Sequence, residues 1–196
     1  MRAELLVAGI GNVFLSDDGF GVEAARRLEA RRAELPAGVE IADVGIRGMH
    51  LAYRLLDGYR TLVLLDTAAR GGAPGSLYLL EHDLDAIGGC ATSGFDAHGM
   101  DPASVLAMLD DLANGVGVER PVQRVLVVGC EPACLDEGIG LSEAVAAVVD
   151  RAVQAVLDLV QDLIHDEGEE HDHPRTGRSP AGGGGRGGGG GRAVAP

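Results

Sequence analysis

The sequence predicts an α/β protein: an open, mostly parallel twisted sheet of about five strands, with helices on both faces and one antiparallel edge strand. Three observations carry this. Short runs of Ala, Val, Ile and Leu alternate along the chain with segments of helical periodicity. Three of the four strong runs are apolar throughout, which suits strands covered on both faces of a parallel sheet. A fifth run follows its predecessor after only about eight residues, fewer than the dozen or more that a parallel crossover requires, so it returns antiparallel at an edge.

Leu5-Leu6-Val7-Ala8 reads as the first strand and stops at Gly9. After Gly21, Val22, Ala25 and Leu28 recur at helical spacing. Val39-Glu40-Ile41-Ala42 is the second strand, and Met49, Ala52 and Leu56 mark the next helix. Leu62-Val63-Leu64-Leu65 is the third strand, ending at Asp66, and the antiparallel run is Ser76 to Leu80. Asp101-Pro102 is a cap followed by a first-turn proline, with Val105, Met108, Leu109 and Leu112 behind it. Val125-Leu126-Val127-Val128 is the last strand and ends at Gly129. Ser142 can cap a long final helix striped by Val145, Val148, Val149, Ala152, Val156 and Val160. These elements make one domain over residues 1–164. Residues 165–196 are first acidic and His-containing, then Gly- and Arg-rich, with nothing to bury, and are expected to be disordered.

Composition excludes several functions. The chain has 196 residues, 46% of them hydrophobic but only 3% aromatic, so Ala, Val and Leu must fill the core. Its net charge is −14 and all 16 of its basic residues are arginine. Acids and arginines nearly balance in the tail, which leaves the acidity to the body. Such a body repels nucleic acid and anionic membrane, and no apolar run approaches the roughly 20 residues of a membrane span. Without lysine there is no P-loop and no Schiff base. Cys90, Cys130 and Cys134 form no paired framework. With no signal peptide at the N-terminus, this points to a reducing cytoplasm.

In open α/β sheets ligands bind outside the carboxyl ends of the strands. The first strand runs into Gly9-Ile10-Gly11-Asn12-Val13-Phe14-Leu15-Ser16-Asp17-Asp18-Gly19-Phe20-Gly21. A dinucleotide fingerprint needs a third glycine where Phe14 stands, so that reading fails. What the loop offers is two adjacent carboxylates ahead of a helix. One suffices for capping, which frees the other. Asp66 closes its strand, either to bond the following turn or to project into the crevice. His98 sits in the glycine-bracketed loop Ser93-Gly94-Phe95-Asp96-Ala97-His98-Gly99-Met100, as a surface histidine or as a ligand. Two carboxylates and an imidazole suit a borderline divalent ion such as Zn, Ni, Fe or Mn, with positions left open for water or substrate. Spacing alone does not separate this from three unrelated residues.

Gly-Ile-Gly-Asn from Gly9 and Asp-Asp-Gly-Phe-Gly from Asp17 resemble the signature of the hydrogenase maturation endopeptidases, which process the large subunit of nickel–iron hydrogenases. Leu64-Leu65-Asp66-Thr67-Ala68 is similar to that family's second acidic block, and Ala97-His98-Gly99 to its histidine loop. Val128-Gly129-Cys130-Glu131-Pro132, with Gly138-Ile139-Gly140-Leu141-Ser142, resembles its closing segment. The likeness runs over residues 3–160.

The resemblance implies an endopeptidase that removes a C-terminal extension from the nickel-loaded precursor. Asp18, Asp66 and His98 would contact the metal and carry catalysis, and Asn12, Asp43 and Gly45 would contact substrate. Nickel then arrives as part of the substrate and acts as its tag. Asp18 stands where relatives often carry Glu, so Asp17 is the alternative donor. A monomer acting in the cytoplasm is expected. Two rival readings use the same crevice: a nickel-binding chaperone that cuts nothing, and a nucleotide-dependent small-molecule enzyme.

Overall fold

The computed structural model describes residues 4–82, 102–117 and 121–170. Five strands form one sheet: β1 (Leu5–Ile10), β2 (Val39–Gly45), β3 (Thr61–Thr67), β4 (Leu77–His82) and β5 (Arg124–Cys130), in the order β2-β1-β3-β5-β4. The first four in that order are parallel, and β4 pairs antiparallel with β5 at the edge. The expected fold is therefore the observed one. The helices are α1 (Phe20–Ala30), α2 (Gly48–Leu55), α3 (Pro102–Val116), α4 (Glu143–Ala146) and α5 (Val149–Glu170).

The chain leaves β1 toward β2 on one side, then crosses back to lay β3 on the other. Right-handed crossovers in opposite directions put α1 and α2 on opposite faces. The period-two alternation of the strands divides the core accordingly. Leu5, Val7, Val63, Leu65, Leu126 and Val128 pack under α1 and α5, joined by Phe20, Leu28, Val156 and Leu157. Leu6, Ala8, Ile10, Leu62, Leu64, Val125 and Val127 pack under α2 and α3.

Several expected details change. In α2 the buried residues are Leu51, Ala52 and Leu55, while Met49 is exposed and Leu56 is only partly buried. The stripe is rotated by about one position because α2 opens at Gly48, after a turn around Arg47. In α3 the buried side chains are Leu106, Leu109 and Ala113. Leu112 is at the margin, and Val105 and Met108 fall outside the described side chains. The long final helix is two helices. Ser142 caps only the short α4, with its Oγ accepting from Val145 N at 3.4 Å, and the chain turns at Ala147–Val148 before α5 begins. Helix α5 runs on through Glu170, so the first six residues of the expected tail extend the last helix, and 171–196 lie outside the described residues. No helix among the described residues is long and apolar enough to cross a membrane.

Candidate active site at the β1/β3 switch point

The strand order reverses between β1 and β3, and there the loop after β1 meets the end of β3. Two glycines make the close approach possible. Gly11 has φ +124°, and a Cβ there would collide with the Asp18 carbonyl. A Cβ at Gly21 would collide with the carbonyls of Leu65 and Ile10, so α1 can start pressed against both strand ends only with glycine.

Within this loop Ser16 has φ 50°, a left-handed conformation that a side chain disfavours by about 1–2 kcal/mol. Ser16 N donates to Gly138 O at 3.0 Å, and its Oγ donates to Asp136 O at 3.0 Å. These bonds hold the turn that sends the next two carboxylates different ways. Asp17 is fully buried. It accepts from Ala133 N (2.8 Å), Cys134 N (3.0 Å), Ser142 N (2.6 Å) and Ser142 Oγ (2.9 Å). Burial pushes its carboxyl upward, but these donors together hold it below its ordinary value. Asp17 therefore anchors the loop after β5.

Asp18 is half-buried and turns toward β3. Its Oδ2 accepts from Asn12 N at 2.6 Å and its Oδ1 accepts the Thr67 hydroxyl at 3.3 Å. On β3, Asp66 follows Leu62 and Leu64 in the alternation, and Thr67 follows Val63 and Leu65 toward the α1 face. Asp66 is 7% exposed, and its Oδ1 accepts from Thr67 N at 2.7 Å. Thr67 thus joins the two carboxylates, its hydroxyl on Asp18 and its amide on Asp66. Each oxygen can accept more than one bond, so capacity remains on Asp18 for a ligand.

The other expected contacts flank this pair. Gly45, at the end of β2 with φ +56°, accepts from Gly11 N at 3.2 Å and so ties β2 to the same loop. Asp43 is exposed just before it, and its carbonyl accepts from the Arg47 guanidinium at 2.9 Å. The Asn12 side chain accepts from Phe14 N at 3.0 Å and shapes the turn. His98 and Cys90 lie outside the described residues. Among the described residues, no three His, Cys, Asp or Glu side chains gather as a metal site. Cys130 is buried, which pushes its thiol up to about 11, and Cys134 is half-buried. Cys130 is therefore no ready nucleophile.

Sequence reading did not single out Thr67 or Glu131. Thr67 is signalled only by following Asp66 on the strand. Glu131 is 6% exposed and is signalled by being an acid directly after a buried strand.

The family described as hydrogenase maturation protease matches residues 22–159. A Methanocaldococcus jannaschii relative is 33% identical over 160 residues, covering 80% of this chain and 96% of that one. The hydrogenase 2 maturation protease of Escherichia coli is 30% identical over 153 residues, covering 78% and 88%. The solved structure of the hydrogenase maturating endopeptidase HybD from E. coli superposes with a TM-score of 0.64 at 27% identity, covering 83% of this chain and 93% of that one. The chain belongs to the hydrogenase maturation protease family and is an endopeptidase, a hydrolase of peptide bonds.

Proposed function

We propose that this endopeptidase removes the C-terminal extension from the nickel-loaded large-subunit precursor of a nickel–iron hydrogenase, acting as a monomer in the cytoplasm. The observation that supports this reading is that Thr67, at the switch point, bonds Asp18 through its hydroxyl and Asp66 through its amide. Two fixed carboxylates there supply oxygen donors to a borderline divalent ion already held by the precursor, and His98 completes the set with an imidazole. An open three-residue site joins an ion without enclosing it, so the isolated enzyme binds nickel weakly. Asn12, Asp43 and Gly45, along the rim formed by β1 and β2, contact the substrate.

The ion fixes the extension in the crevice and brings the scissile bond to the carboxylates. A carboxylate oxygen of Asp18 or Asp66 takes a proton from water as the water oxygen bonds to the peptide carbonyl carbon. The carbon–nitrogen bond then breaks, and the amine leaves with a proton. His98→Ala abolishes shortening of the nickel-loaded precursor, read by intact mass. Wild-type rates in that variant would remove the assigned ligand set.

A further inference from the structure

Glu131 is a buried acid that the proposed trimming site does not use. It stands just past β5 and holds the whole connection between β3 and β4. Its carboxylate accepts from Arg70 N (2.9 Å), Gly71 N (3.0 Å) and the Tyr78 hydroxyl (2.8 Å). Its backbone donates to Ser76 O at 2.8 Å and accepts from Gly75 N at 2.8 Å. Glycine suits this path at two points. Gly71 has φ +80°, and a Cβ at Gly72 would collide with the Tyr78 hydroxyl. The Arg70 amide foremost, opposed by burial, keeps the Glu131 carboxyl below its ordinary range. It is therefore charged at neutral pH, and it fixes the backbone of Arg70.

The side chain presented there is exposed. Arg70 lies four residues beyond Asp66, within about 14 Å even for a fully extended chain. Elsewhere Arg26, Arg27, Arg31, Arg32, Arg54 and Arg124 each meet a carboxylate. Arg47 bonds the carbonyls of its own turn. Among the described residues Arg60, Arg70 and Arg151 make no ion pair, although the chain carries a net charge of −14; Arg60 stands at the opposite end of β3 and Arg151 on α5, so Arg70 is the one of the three that follows the Asp66 strand end. A guanidinium without a carboxylate partner, on a loop held by Glu131 a few residues past a strand-end carboxylate, is a receptor for an anionic group, because guanidinium and carboxylate match as paired donors and acceptors.

We propose that Arg70, positioned by Glu131, binds a carboxylate of the precursor's extension and so selects substrate. This rests on the trimming reading above and names a specificity residue for it. The carboxylate is either the chain terminus or an acidic side chain of the extension. The experiment follows the trimming of nickel-loaded precursor by wild type, Arg70→Gln, Glu131→Gln and the variant carrying both changes, at several precursor concentrations. Three substrates are used: the native extension, one with its acidic side chains changed to amides, and one lengthened by a Gly-Ser segment that carries the terminus out of reach.

With native extension, Arg70→Gln raises KM about tenfold and lowers kcat less. One of the altered substrates shows a raised KM with wild type and no further rise with Arg70→Gln, and which one does so identifies the carboxylate. Glu131→Gln raises KM in the same substrate-dependent way and adds little on top of Arg70→Gln, which a general loss of folding does not do. An unchanged KM in Arg70→Gln, or an equal rise on all three substrates, overturns the proposal. If wild type trims none of them, it is the trimming reading itself that fails.

Discussion

Asp17 and Asp18 are adjacent acids that end in different surroundings because Ser16 turns the chain between two bonded loops. Asp17 is enclosed by four donors, so replacing it leaves buried N–H and O–H groups without their acceptor. Asp17→Asn lowers stability by about 3 kcal/mol, read from the urea midpoint. The variant also loses part of the acid dependence. The folded value of Asp17 lies below the unfolded 3.8, so its stabilisation is complete above that value and lost as pH falls through the lower folded one. Wild-type stability therefore declines more steeply than that of Asp17→Asn as pH drops below about 4. The sequence shows two acids where one cap would suffice. It does not show which is enclosed, because the enclosing donors come from Ala133, Cys134 and Ser142, more than a hundred residues away.

Among the elements, those with long apolar runs were legible and those shaped by tertiary contact were less so. β1, β3 and β5 are buried on both faces, and each carries a central run of apolar residues. The short gap before β4 identified an antiparallel edge from chain geometry alone. Helix α2 was rotated because its start is set by the turn at Arg47, not by its own periodicity. The valine stripe from Val145 onward hid the break between α4 and α5, since Val145 and Val149 are buried on both sides of it. The burial assigned to α5 has a direct consequence: Leu157 is 2% exposed between α5 and the sheet. Leu157→Ala costs about 2–5 kcal/mol, measured by chemical denaturation, whereas an exposed α5 position such as Gln154→Ala changes stability by about 0.5 kcal/mol or less.

At the level of the whole molecule, alternating strands and helices predict a site outside the carboxyl ends of the strands, and the strand order reverses between β1 and β3. The order itself was not legible, because which strands pair is decided by contacts distant in sequence. Asp18 and Asp66 stand out in the sequence because each ends or follows an apolar strand, whereas Thr67 does not, because one hydroxyl beside an acid carries no sequence signal. The most direct measurement is the intact mass of hydrogenase large-subunit precursor incubated with the protein, with and without loaded nickel. Loss of the C-terminal extension only from nickel-loaded precursor is the expected result. An unchanged mass in both samples, or equal shortening without nickel, would contradict a substrate-borne ion as the feature that Asp18, Asp66 and His98 recognise.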